Sequence, residues 1–184
     1  MPKAVIVSGS PNLSSRLNGM IQYVERQLSA QGIAVERVTV AELPPEDLIL
    51  TRFGSPAIVA ANRLVAEADA VLFASPVYKA SYTGVLKTFI DLIPEKGLSG
   101  KVVAPLFIGG SYAHLLSMDY SFKPVVSALG ARIFASGVYA TDQQIERTGD
   151  AESGFRFELT QELQDRLDAA VQEVIEEIYL RNKQ

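Results

Sequence analysis

The chain has 184 residues, 48% of them hydrophobic, with a formal net charge of −4 and no cysteine. Its length fits one ordinary domain of roughly 100–200 residues, and its apolar fraction is globular, which excludes a disordered chain. The charge argues against a general nucleic-acid binder, no apolar run nears the roughly 20 residues of a membrane span, and the missing cysteines exclude a disulfide frame and thiolate chemistry. The N-terminus runs directly into a strand-like segment without signal-peptide regions, so the reading is a cytoplasmic domain with neither nucleic acid nor membrane as partner.

Taken in order, Ala4–Ser8 is apolar and β-branched, and a Gly/Ser/Pro/Asn loop follows from Gly9 to Ser15. Leu17, Met20, Ile21, Val24 and Leu28 then fall at helical spacing, with Gly32 placed to stop the helix. Ile33, Val35, Val38 and Val40 predict a second strand, interrupted by polar residues as at a sheet edge. Leu43–Gly54 reads as a loop. Ser55-Pro56 gives a helix start, with Ser as N-cap and Pro in the first turn, and Ile58, Ala61, Leu64, Val65 and Ala68 continue its stripe. Val71–Ala74 is continuously apolar, the pattern of a strand covered on both faces.

Val85, Leu86, Phe89, Ile90 and Ile93 predict a third helix ended at Pro94. Val102–Ile108 is a fourth strand, Leu115–Leu129 a fourth helix and Ile133–Tyr139 a fifth strand. Leu159, Leu163, Leu167, Val171, Val174 and Ile178 form a last helix, with Thr160 as its cap. Strands alternating with helices imply right-handed βαβ units and a parallel sheet. The expected fold is α/β, a flavodoxin-like doubly wound five-stranded parallel sheet in the order 2-1-3-4-5, with helices on both faces. Pro105 sits badly in that scheme, because an inner strand needs its N–H; a bulge or a place of incomplete pairing would accommodate it.

Ligands of such sheets bind outside the carboxyl ends of the strands, near the switch point. Three loops there carry unusual residues. In Gly9-Ser10-Pro11-Asn12-Leu13-Ser14-Ser15-Arg16, small residues let the backbone turn around an anion at a helix N-terminus. Ser10, Asn12 and Ser15 offer neutral donors, and Arg16 a bidentate partner for phosphate; a loop of helix-capping serines is the alternative. In Ser75-Pro76-Val77-Tyr78-Lys79-Ala80-Ser81-Tyr82-Thr83-Gly84, two tyrosines offer flat surface suited to a planar ring, or simply aromatic packing. Gly109-Gly110-Ser111-Tyr112 lets the backbone approach a ligand, or is a tight turn.

Together the loops resemble the NADPH-dependent FMN reductase family over roughly residues 3–140. The resemblance rests on Gly-Ser-Pro…Ser-Arg at 9–16, Ser-Pro-Val-Tyr…Gly-Val-Leu-Lys-Thr-Phe-Ile-Asp at 75–91, and Gly-Gly at 109–110 leading to Leu-Gly-Ala at 129–131. It implies that Ser10, Asn12, Ser15 and Arg16 hold the FMN phosphate. Pro76, Val77, Tyr78 and Lys79 would follow the ribityl chain and ring, and Gly109, Gly110 and Ser111 meet the pyrimidine edge. The family commonly has Arg at the position of Asn12. A closer resemblance is to the flavin reductases of two-component alkanesulfonate monooxygenase systems. It rests on Ala-His-Leu-Leu-Ser-Met-Asp-Tyr-Ser-Phe-Lys-Pro at 113–124, Pro-Glu-Asp-Leu at 45–48 and Arg-Phe-Gly-Ser-Pro-Ala at 52–57. Relatives of general type are one residue shorter between Gly110 and Leu129. The extra residue, read as Tyr120, would make a π-bulge, and a proline kink at Pro124 with Tyr120 packed at a subunit interface is the alternative.

The implied activity is hydride transfer from the nicotinamide C4 of NADPH or NADH to flavin N5. FMN acts as substrate or loosely bound cofactor, and reduced FMN passes to a flavin-dependent monooxygenase. The implied assembly is a homo-oligomer, a dimer or tetramer. No acid, base or nucleophile is required, His114 is the only histidine, no metal site is expected, and without a G-x-G-x-x-G after the first strand no separate dinucleotide site is expected either. Lys87 and Asp91, four apart, pair with each other or with a partner subunit. An FMN-bound quinone or azo reductase, a flavodoxin-type electron carrier and a flavin-sensing module are the rivals, and fold alone does not choose among them.

Overall fold

The computed structural model describes residues 1–181. Its strands are β1 (Lys3–Ser8), β2 (Ala34–Thr39), β3 (Ala70–Tyr78), β4 (Ser81–Tyr82), β5 (Val102–Gly109), β6 (Ile133–Phe134), β7 (Val138–Thr141), β8 (Ile145–Asp150) and β9 (Gly154–Leu159). Its helices are α1 (Leu17–Ala30), α2 (Pro45–Ile49), α3 (Pro56–Glu67), α4 (Gly84–Ile90), α5 (Lys123–Ala128) and α6 (Gln161–Arg181). The main sheet runs β2-β1-β3-β5, all parallel, and β5 then pairs first with β6 and next with β7. Counting β6 and β7 as one interrupted strand gives the order that the sequence predicts.

Helices cover both faces, so the inner strands are apolar throughout. Ile6, Leu72 and Leu106 face α1 and α6 with Leu17, Met20, Ile21, Leu167 and Val171. Val7, Phe73 and Phe107 face the other way, onto Ile58, Leu86, Phe89 and Phe122. Phe122 is the hub of that second core. Its ring meets Phe73 at 5.3 Å, Phe107 at 5.5 Å and Tyr82 at 6.0 Å, each edge-on, the geometry that aromatic quadrupoles favour.

Pro105 finds its place where pairing lapses. Val103 pairs with Phe134 and Leu106 with Val138, so the chain between β6 and β7 loops away opposite the proline. A Cβ on Gly137 would lie 2.6 Å from the Pro105 Cγ. The ring, which stands where an amide hydrogen would be, thus faces a gap closed by the one residue small enough to fit there.

Five expectations need correction. Leu43–Gly54 is not a bare loop but contains α2, whose Asp47 carboxylate accepts hydrogen bonds from Arg52 and from the Ser55 hydroxyl. Ser55 therefore makes no side-chain cap for α3, although Pro56 does open that helix. The predicted helix over Leu115–Leu129 is broken into a 3₁₀ turn at Tyr112–His114, a π-helical turn at Met118–Phe122, and α5. Pro124 supplies a reason, since it has no N–H to donate to the Tyr120 carbonyl one turn back. The fifth strand is split, as above. Finally, Leu159 belongs to β9, and α6 begins after Thr160, whose Oγ1 accepts from the Leu163 N–H at 3.4 Å.

The antiparallel hairpin β8–β9 is an addition the periodicity reading did not contain. It lies across α1, where a Cβ on Gly19 would come 2.8 Å from the Phe157 Cβ. Among the described residues, no helix is long and apolar enough to cross a membrane.

Candidate functional site

The three loops leave the sheet side by side at the carboxyl ends of β1, β3 and β5. Ser8 pairs with Ala74, and Pro76 with Ile108, so each loop begins at nearly the same height. A buried network fastens the first two. Thr83 Oγ1 donates to the Gly9 carbonyl and accepts from Leu86 N at 3.0 Å, while Thr83 N donates to Ser75 Oγ at 3.0 Å. Ser75 is wholly buried and Thr83 nearly so. Gly9 is required by the close approach of α4, because an added Cβ would lie 2.9 Å from the Leu86 Cα. Two of the three loops are thus one rigid platform, held by a threonine that the sequence reading did not single out.

The loop from Ser10 to Arg16 is folded on itself. Ser10 is buried, and its hydroxyl donates to the Asn12 carbonyl at 2.8 Å, which shapes the turn. Asn12 Oδ1 accepts from both the N–H and the hydroxyl of Ser14 at 2.8 Å, an Asx turn. Ser15 Oγ accepts from Leu17 N at 3.2 Å and so caps α1. Arg16 donates Nε to the Ile145 carbonyl at 3.0 Å, which ties the loop to β8. The Asn12 Nδ2, the Ser15 hydroxyl proton and the terminal nitrogens of Arg16 have no hydrogen bond to another described residue. The loop thus shapes itself and the start of α1 while leaving these donors free.

A second guanidinium reaches this loop from elsewhere. Arg147 of β8 donates Nη1 to the Ser14 carbonyl at 2.6 Å and stacks over the Phe155 ring at 5.2 Å. Motif reading missed it because it lies 133 residues from its partner. Two fixed cations at one loop, with free amide and hydroxyl donors, suit a dianionic phosphate ester at a helix N-terminus. The donor set fits the FMN phosphate.

The second loop is a tight hairpin. Val77 pairs with Tyr82 and Tyr78 with Ser81, leaving Lys79 and Ala80 as a two-residue turn. Both are left-handed, with φ of 51° and 64°, as the twist of such turns demands, although glycine and asparagine are the usual occupants. Pro76 is buried, whereas Val77 is half-buried and Tyr78 and Lys79 are exposed. Ser81 Oγ donates to Ser121 Oγ at 3.0 Å and Ser121 Oγ to the Ser117 carbonyl at 2.8 Å, so the π-helical turn is docked on this hairpin. Tyr120, inside that turn, is 79% exposed.

The third loop is held by Tyr139, which donates its hydroxyl to the Ser111 carbonyl at 3.0 Å. Burial pushes that phenol's pKa up, so it stays a donor. Gly110 and Ser111 are exposed above the sheet, with Gly109 half-buried beneath them. Lys87 and Asp91 pair with each other at 2.7 Å. His114 lies exposed in the 3₁₀ turn. Among the described residues, no group of His, Cys, Asp or Glu side chains could hold a metal.

A doubly wound parallel sheet, with a loop of free donors after its first strand and an aromatic hairpin after its third, defines the flavodoxin-like class of α/β protein. The comparisons narrow that class. Residues 2–146 match the family model described as NADPH-dependent FMN reductase, and the chain belongs to that family: it is an NAD(P)H:FMN oxidoreductase. It is 39% identical over 182 residues to an FMN reductase (NADPH) of Escherichia coli strain K12, covering 99% of this chain and 93% of the relative. It is 42% identical over 163 residues to an FMN reductase (NADPH) of Pseudomonas putida, covering 89% and 81%. The solved apo structure of the NADH:FMN oxidoreductase EMOB superposes with a TM-score of 0.82 at 27% identity, covering 100% of this chain and 90% of that one.

Proposed function

We propose that this chain reduces FMN with NADPH or NADH and releases the reduced flavin to a flavin-dependent monooxygenase, in sulfonate desulfonation, from the cytoplasm. The observation that carries the binding mode is the alignment of the loops at 10–16, 76–79 and 109–111 on adjacent strands, with phosphate donors at one end and Tyr78 at the other. Bound FMN supplies a hydride acceptor, and the reduced nicotinamide supplies the hydride. The protein's part is placement. Arg16, Asn12 and Ser15 anchor the phosphate, and the Ser75–Thr83–Gly9 network keeps the ring's floor at a fixed distance from that anchor. The backbone around Gly110 approaches the polar ring edge. Pro76 and Val77 line the stem between the two.

Release is supported by the π-helical turn. Met118–Phe122 leaves Tyr120 outside the packed helix face and beside the Tyr78–Ser81 hairpin, in the reading that makes Tyr120 part of the flavin site. Self-association as a dimer or tetramer is supported by exposed Leu115, Leu116 and Tyr120 on that segment. It is supported too by an apolar cavity of about 390 Å³ between α4 and the chain at Val40–Ile49.

The test is NADPH and NADH oxidation by purified protein with and without added FMN, after its flavin content is recorded. A nearly colourless protein whose turnover requires added FMN is the expected result. A yellow protein that turns over only with a quinone or dye would overturn flavin release and support an FMN-bound quinone reductase.

A further inference from the structure

On the other side of the phosphate loop from the three-loop platform lies a cavity of about 260 Å³. The strand order explains its position: β3 and β5, which carry the flavin loops, lie on one side of β1, and β2 lies on the other. The cavity sits between the carboxyl end of β2 and the first half of α1, and the β8–β9 hairpin covers it. Asn18, Gln22, Thr39, Glu42, Phe155 and Phe157 surround it, and Ser10 and Asn12 line both it and the phosphate loop. The cavity therefore abuts the loop where the flavin phosphate is proposed to bind.

Size and chemistry say what the cavity suits. Whole small-molecule sites run to roughly 300–1,000 Å³, so this one holds a fragment of a ligand whose remainder lies elsewhere. Two phenylalanine rings offer apolar surface for a base, and the side-chain amides of Asn18 and Gln22 offer edges that can read it. Glu42 and Thr39 can accept and donate to ribose hydroxyls, as an acidic residue beside a nucleotide pocket often does. Arg16 in the neighbouring loop, and Arg147, which donates to the Ser14 carbonyl of that loop, are two guanidiniums for two phosphates. The cavity lining adds one more cation, Arg37, but its Nε is committed to the Glu25 carboxylate at 2.7 Å. With Glu42 nearby, the floor disfavours a further phosphate such as the 2′-phosphate of NADPH.

We infer that this cavity is a second nucleotide subsite, which takes the adenylate half of FAD when the FMN half lies on the platform. The inference rests on the phosphate-loop reading above. Its roof is beyond the family match, which ends at residue 146, so Arg147, Phe155 and Phe157 are features of this chain outside that model. FMN leaves the subsite to solvent, and FAD fills it through its pyrophosphate.

The experiment is calorimetric binding of FMN, FAD and riboflavin to the full chain without nicotinamide nucleotide, for the wild type, Gln22→Trp and Phe155→Ser. Gln22→Trp fills the cavity from the exposed face of α1, and Phe155→Ser removes part of its roof. The wild type should bind FAD at least as tightly as FMN. Each substitution should weaken FAD about tenfold or more, the scale of one lost stacking partner for a base, while FMN stays within about twofold for Gln22→Trp and loses no more than about fivefold for Phe155→Ser, since the Phe155 ring carries Arg147. Unchanged FAD binding in both variants would overturn the subsite, because the adenylate would then point into solvent. Equal losses for FMN and FAD would also overturn it, because the variants would then be acting on the loop. A Gln22→Trp protein with normal flavin affinities and a raised KM for NADH would give the cavity to the nicotinamide dinucleotide instead. Failure of the wild type to bind any flavin would refute the flavin reading itself, a result distinct from all of these.

Discussion

At the scale of single residues, the proposed phosphate end of the site has two arginines with different anchors. Arg16 is half-buried and tied to Ile145, whereas Arg147 is exposed and tied to Ser14. A charged hydrogen bond contributes on the order of 1.5–3 kcal/mol, and solvent screening takes an exposed one down to about 1 kcal/mol or less. Arg16→Gln should therefore weaken FMN binding by about tenfold or more, and Arg147→Gln by about fivefold. Riboflavin, which has no phosphate, should bind both variants as it binds the wild type. Titrating both flavins into each variant checks this: equal losses for riboflavin would mean that the arginines hold the loop and not the phosphate. Arg16 could be picked out from its place after a Gly-Ser-Pro turn. Arg147 could not, because only the docked hairpin brings it to Ser14.

At the scale of elements, periodicity was a good guide wherever burial was two-sided and regular. The runs at β1, β3 and β5 are legible because every residue in them meets a helix layer, whichever way it points. Interruptions were less legible. The segment after Gly110 carries helical spacing, yet Pro124 withholds the bond that would close an α-turn, and the backbone widens at Met118–Phe122 instead. The β8–β9 hairpin was not read, although Phe155, Phe157 and Leu159 alternate with Arg156 and Glu158 along β9. What that pattern does not contain is the docking partner, α1.

The hairpin's own turn rests on one carboxylate. Asp150 accepts from Glu152 N at 2.9 Å, Ser153 N at 2.7 Å and Ser153 Oγ at 2.8 Å. These bonds, chiefly those from Ser153, hold its pKa below the ordinary 3.8. A depressed folded-state pKa means that the ionised form favours the folded turn. That contribution is complete above the ordinary value and is lost as pH falls through the lower one. The Ser153 amide resonance should therefore titrate with a midpoint below 3.8, and Asp150→Asn should abolish the transition. A midpoint at or above the ordinary value would show that the turn is open in solution.

At the scale of the whole molecule, two cores back to back leave little apolar surface except in particular places. Leu115, Leu116 and Tyr120 are 40%, 61% and 79% exposed on one short segment, and Ile49, Leu50 and Phe53 lie exposed around α2. Scattered exposed leucines need no explanation, whereas Leu115, Leu116 and Tyr120 gathered on one segment suit an interaction surface. The proposed self-association uses this surface, and it makes a prediction at the same scale. Leu116→Arg places a charge at the centre of the patch without touching either core, so folding and melting temperature should be little changed. Sedimentation should then give about the 20.0 kDa of one chain for the variant and a multiple of it for the wild type. A wild type that sediments as one chain would end the oligomer proposal. An oligomeric Leu116→Arg protein would move the interface away from the π-helical turn, and the exposure of Tyr120 would then have to be explained by the flavin site alone.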